Sequence, residues 1–139
     1  MKKIILAGLI MISGLMASNT EKERLFIILT LAASENSKSL PQKVDEATDL
    51  IKIEANENPL SLTYISKIHK IDSNPNVSYK LFKETPNIKN ITKNMVIKSV
   101  CGDEGMKIFF ENNILIVYKY IWEDDRPLFD VTVTNKDCE

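Results

Sequence analysis

Histidine and tryptophan each occur once in the 139 residues, cysteine twice, glycine four times, and arginine only as Arg24 and Arg126. A lone His, His69, cannot build a multi-His metal centre, and two Cys cannot build a zinc cluster. Four scattered Gly form no phosphate-cradling loop, and GxxxxGK[ST], GxSxG, HExxH and CxxC are all absent. Conventional acid–base or nucleophilic chemistry would have to use His69, the one side chain whose ordinary pKa lies near neutrality, or manage without it. It stands in Lys67-Ile68-His69-Lys70 at the end of an alternating segment, where two lysine neighbours indicate a solvated position. The residue inventory therefore names no catalytic group and no cofactor.

An excess of one charge is also lacking, with 18 basic and 19 acidic side chains in the whole chain. The basic residues are interspersed with acids throughout, which argues against binding to a phosphate backbone. Lys, Ile and Asn, whose codons are AT-rich, are abundant and point to a low-GC bacterial genome.

What is present begins with Lys2 and Lys3, followed by an apolar run over residues 4–17 that ends in small residues before a charged stretch. A positive start, a short apolar centre and a small-residue end are the pattern of an export signal. The run is short for a membrane-spanning helix, which needs about 20 apolar residues. Cleavage is expected after Ala17, although Leu15 is larger than the residue usually found three places before a cut. No Cys lies near that position, so the lipoprotein option is removed. Residues 1–17 are thus read as a signal peptide and residues 18–139 as one domain. Export places Cys101 and Cys138 in an oxidising compartment, where an even count usually pairs. Their bridge would close a loop of about 38 residues, worth roughly 4 kcal/mol in the chain-entropy account.

Along the exported part, Thr20-Glu21-Lys22-Glu23 matches a capping box, so a helix should start there. Residues 25–33 (LFIILTLAA) are apolar around the whole circumference, which predicts a helix packed on more than one side; Leu40-Pro41 then ends it. Ile51, Ile53 and Ala55 alternate with Lys52 and Glu54. After the turn residues Asn56-Glu57-Asn58-Pro59, Leu60, Leu62, Tyr64 and Ile68 oppose Ser61, Thr63 and Lys67, which predicts a hairpin with one buried side. Residues 73–86 read as a loop that contains at most a short helix. From Asn87, the residues Ile88, Ile91, Met95, Val96 and Val100 form a helical stripe wide enough to lie on a sheet. That helix should end at Cys101, and Asp103 should cap a second one carrying Met106, Phe109 and Phe110.

The clearest strand signal is in the last third. Ile114, Ile116, Tyr118, Tyr120 and Trp122 share a face, and Leu115, Val117 and Ile121 make the other nearly as apolar, so this strand is expected inside the sheet. Residues 123–127 form a polar turn, and Phe129, Val131 and Val133 return as the buried face of a second hairpin. The resulting order predicts an α+β fold: a four-stranded antiparallel sheet of two hairpins, two or three helices packed on it, and one disulfide.

Two acidic groups, Asp45, Glu46 and Asp49, and Glu123, Asp124 and Asp125, have the chemistry to hold a cation but lack the EF-hand pattern; they read as solvated turns, with no metal site assigned. Tyr118, Tyr120 and Trp122 form the candidate binding row, because Tyr and Trp suit surfaces where an apolar body is buried and a polar tip stays wet.

The pattern Leu40-Pro41-x-x-Val44-Asp45-x-x-Thr48, the hairpin ending near Tyr64, then Cys101, Tyr118-x-Tyr120 and Cys138 resembles a group of small exported bacterial proteins of unknown function, some of them called quorum-sensing-regulated virulence factors. The resemblance implies a signal peptide, an α+β domain and a Cys pair, and it carries over no catalytic residues. The expectation is a non-enzymatic periplasmic or secreted protein that binds a partner protein or small ligand in the cell envelope. It uses no cofactor, nucleic acid or stable membrane span, and a homodimer is one option. The alternatives are an envelope hydrolase using carboxylates and His69, and an N-terminally tethered inner-membrane protein.

Overall fold

The computed structural model describes residues 20–74 and 77–139, so the expected signal segment, residues 1–17, lies outside the described residues. In chain order the elements are α1 (Glu21–Ser37), β1 (Gln42–Lys43), β2 (Thr48–Asn56), β3 (Ser61–Ile68), α2 (Tyr79–Glu84), α3 (Ile88–Cys101), α4 (Glu104–Glu111), β4 (Leu115–Trp122), β5 (Pro127–Val133) and a C-terminal 3-10 turn (Asn135–Cys138).

Local chemistry explains where the helices begin. The Thr20 hydroxyl accepts from the Glu23 amide at 3.3 Å, and Glu21 and Glu23 put negative charge at the positive end of the α1 dipole. Asp103 does the same for α4, its Oδ1 accepting from the Gly105 amide at 2.9 Å. Met106, Phe109 and Phe110 are the buried residues of α4, at the spacing expected of one helix face.

The sheet departs from the expected four antiparallel strands. It has five, in the order β1-β2-β3-β4-β5, and β3 pairs with β4 in parallel. Both hairpins are present as antiparallel pairs, β2 with β3 and β4 with β5. What differs is how they join. Residues 69–114 run through three helices between β3 and β4, and a parallel pair requires a long crossover of this kind. Because the hairpins meet side by side, β3 is flanked on both edges and is not the half-exposed strand that its alternation suggested. Ser61, Thr63 and Ser66 are buried along with Leu62, Tyr64 and Ile68. The fifth strand, β1, is two residues long and pairs Gln42 with Leu50 and Lys43 with Asp49. Among the described residues there are four α-helices, one more than the upper expectation.

The main core lies on one face of this sheet, where Ile53, Leu62, Tyr64, Ile116, Tyr118, Val131 and Val133 meet buried residues of α1, α3 and α4. The opposite face presents Lys52, Glu54, Lys119 and Asp130 between half-buried apolar residues, with Lys52 and Glu54 paired at 2.9 Å. Two helices bury less than their composition suggested. α1 packs chiefly on β2 and hides Leu29, Ala32 and Ala33, while Leu31 on the other side is 38% exposed. One contact surface admits one stripe, so an all-apolar circumference does not make a helix central. α3 rests over β5 through Val96 and Val100, which leaves Ile91 56% and Met95 68% exposed.

The disulfide expected from sequence is present, joining Cys101 at the last turn of α3 to Cys138 in the C-terminal turn, with Cα atoms 5.3 Å apart. Among the described residues no helix is long and apolar enough to cross a membrane.

Candidate functional site

Because α3 leans over β5, it stands away from the β1–β2 edge and opens a groove of about 440 Å³ against the sheet. Leu50, Tyr64, Tyr118 and Tyr120 contribute from the sheet, and Thr92, Met95, Val96, Ser99 and Val100 from α3. Gln42, Val44 and Asp45 border it on the β1 side, and Gly102, Asp103 and Met106 lie where α3 passes into α4. The volume falls in the usual range for a ligand pocket, roughly 300–1,000 Å³.

Two features of the backbone assemble this surface. A β-bulge between Leu50 and Lys52 makes Ile51 an extra residue, since Leu50 pairs with Ser66 and Lys52 with Ile65. The bulge reverses the parity of β2, so that Leu50 joins Ile53 and Ala55 on the helix-covered face. The expected row Ile51, Ile53, Ala55 is thereby broken, since strict alternation cannot register an inserted residue. The parallel register then sets Tyr64 beside Tyr118, with their rings stacked at 5.1 Å and 13°. Tyr120 lies beside Phe129 across the other edge of β4, with ring centroids 5.1 Å apart.

The three tyrosines are held neutral. Burial raises Tyr64 well above the ordinary phenol value, with smaller contributions from Tyr118 and Asp103. Burial likewise raises Tyr118, helped by Tyr120 and Asp103. Tyr120 is pushed up to about 12 by burial and by the Asp45 carboxylate. The Tyr64 hydroxyl is buried and has no hydrogen-bond partner among the described residues. Native proteins seldom leave such a group unpaired.

The binding row predicted from sequence is divided by the structure. Tyr118 and Tyr120 line the groove. Trp122, 3% exposed, belongs to a second cluster with Ile68 and Leu128 and does not line it. α2 is the reason: Phe82 lies 6.2 Å from the Trp122 ring, and Arg126 sits 3.7 Å over the Tyr79 ring while bonding Asp124 at 2.7 Å. Sequence reasoning missed Tyr64, Leu50, Met95 and Asp103 as groove residues. Tyr64 could have been found only by knowing that its strand meets β4, and Met95 only by knowing which side of α3 faces the sheet.

His69 lies outside the groove, its Nε2 3.4 Å from Asp49 Oδ2. The acidic groups are engaged locally. Asp45 Oδ1 accepts from the Ala47 amide at 2.9 Å, Glu46 accepts from the Ser73 hydroxyl, and Asp125 pairs with Lys67 at 2.8 Å. Among the described residues no group of three His, Cys, Asp or Glu side chains converges as a metal site would require.

No family model matches the chain, and no curated protein matches it. Solved structures do. A candidate secreted protein of Pseudomonas aeruginosa superposes with a TM-score of 0.70 at 14% identity, covering 88% of this chain and 100% of its own. The pilotin of the Vibrio vulnificus type 2 secretion system gives 0.63 at 16% identity, over 87% of this chain and 98% of its own. The type II secretion system pilotin of Vibrio cholerae gives 0.61 at 13%, over 84% and 94%. At such identities the likeness is one of fold: the chain shares its architecture with a protein described as secreted and with two secretion-system pilotins.

Proposed function

We propose that the protein is exported to the cell envelope, with residues 1–17 as its signal, and acts there without catalysis by binding a segment of a partner protein in the groove between α3 and the sheet. The observation that carries this reading is the groove itself, an aromatic and aliphatic recess whose rim continues into the exposed Met95 and Ile91 of α3. Concave apolar sites with a few polar groups are where proteins usually take ligands. Exposed Met suits such a surface because its flexible, polarisable side chain adapts to partners. Support for export comes from the N-terminal pattern, the Cys101–Cys138 bridge and the fold shared with a candidate secreted protein and two pilotins. Support for a non-catalytic role comes from His69, whose Asp49 pair stands apart from the groove.

A photo-crosslinking side chain placed at Met95 in living cells tests the proposal. It should yield an adduct with one envelope protein, whereas the same group at Lys52, on the opposite sheet face, should yield none. Crosslinks at both positions, or at neither, would refute the groove as the binding site. Mass spectrometry of the native protein checks export separately, because a chain retaining residues 1–17 would favour an N-terminal tether.

A further inference from the structure

The groove is not electrically neutral in its lining. Asp45 and Asp103 border it, and among the described residues no Lys, Arg or His does. Each of these carboxylates spends Oδ1 on a backbone amide, of Ala47 and Gly105 respectively, and neither enters the ion pairs found among the described residues. With them in the lining are three tyrosines, and the buried Tyr64 hydroxyl has no hydrogen-bond partner among the described residues. Its residue is 2% exposed. A phenol is protonated at neutral pH, so the hydroxyl is a donor for which the described residues offer no acceptor.

We infer that the groove is built for a basic, apolar peptide segment, with Asp45 and Asp103 receiving its cationic side chains and the Tyr64 hydroxyl donating to one of its neutral oxygens. This inference rests on the groove reading above and adds the chemistry of the occupant. Leu50, Val96, Val100 and Met106 supply the apolar contact. Ile91 and Met95, one turn apart on α3, extend that contact past the recess itself, which calls for an elongated occupant. An acidic amphiphile such as a fatty acid would bring its carboxylate to a rim whose described residues offer only like charge. A Lys- or Arg-bearing segment finds complementary charge and loses none of the apolar contact.

The test uses the full exported protein and two synthetic amphipathic peptides with the same leucine stripe, one flanked by Lys and one by Glu, with dodecanoate as a third probe. The Lys peptide should bind at least about tenfold more tightly than the Glu peptide, and the preference should shrink with added salt. Asp45→Asn with Asp103→Asn should abolish the preference; Asn remains a competent helix cap at position 103, so the fold is kept. Tyr64→Phe, which preserves the ring stack on Tyr118, should weaken the Lys peptide about tenfold, the loss of one buried hydrogen bond. Equal binding of the two peptides, stronger binding of dodecanoate, or a Tyr64→Phe variant that binds as the parent would each overturn the inference. If neither peptide binds while Met95 still crosslinks to an envelope protein, the assigned chemistry fails and the groove stands. If Met95 forms no adduct either, both readings fall.

Discussion

At the scale of single residues, the floor of the groove is defined by protons that cannot leave. A buried phenolate would lose its hydration and face Asp45 or Asp103, so Tyr64, Tyr118 and Tyr120 all titrate above the ordinary value of 10.0. The sign follows from linkage: the folded state holds these protons more tightly than the unfolded state does. Their stabilising contribution is complete below about pH 10 and fades as pH rises toward 12 for Tyr120, and higher for the other two. Thermal melts should therefore hold steady up to about pH 10 and fall beyond it. Phenolate absorbance should show Tyr64 and Tyr118 ionising together with loss of the fold. Early ionisation of both in a protein still folded would mean that the floor is open to water.

At the scale of elements, periodicity was a sound guide to which side chains share a face and a poor one to where chain segments meet. The Thr20 and Asp103 caps, both hairpins and the internal position of β4 were all legible, because each depends on residues close in sequence or on a two-residue repeat. The parallel seam was not, since nothing in the alternation of β3 or β4 specifies which edge a neighbour takes. The bulge was hidden as well: Ile51 is as apolar as Ile53, and only pairing distinguishes the inserted residue from the core one. Excision makes that distinction measurable. Deleting Ile51 leaves Leu50 opposite Ser66 and Lys52 opposite Ile65, so the shortened strand should fold with a cost of about 1 kcal/mol. Deleting Ile53 removes a buried core side chain and throws one end of the strand onto the wrong face, which should cost about 4 kcal/mol or prevent folding. Urea unfolding of the two variants decides, and equal losses would contradict the bulge. The groove was half legible for the same reason. Tyr118 and Tyr120 stood out as a row, whereas the stand-off of α3 that exposes them to the recess depends on which strand the helix rests upon.

For the molecule as a whole, the bridge between Cys101 and Cys138 ties the groove-forming helix to the end of the chain. It closes a long loop that spans α4 and both strands of the second hairpin. Replacing both cysteines with serine should lower stability by roughly 4 kcal/mol, read from denaturant midpoints of oxidised parent and variant. Unfolded, unreduced parent should expose no titratable thiol, and detection of two would remove the bridge from the native state.

The parallel seam between β3 and β4 has a temporal consequence. Tyr64 and Tyr118 touch across it, yet three helices are synthesised between them. A nascent chain that has released only its first hairpin has α1 to lay on β2 but no strand to set beside β3, and it still lacks the α3 and α4 residues that complete the core. Closure must wait for the final stretch to emerge, because contacts so distant in sequence form late. Such a polypeptide keeps the inner edge of β3 unpaired until its last two strands have been made.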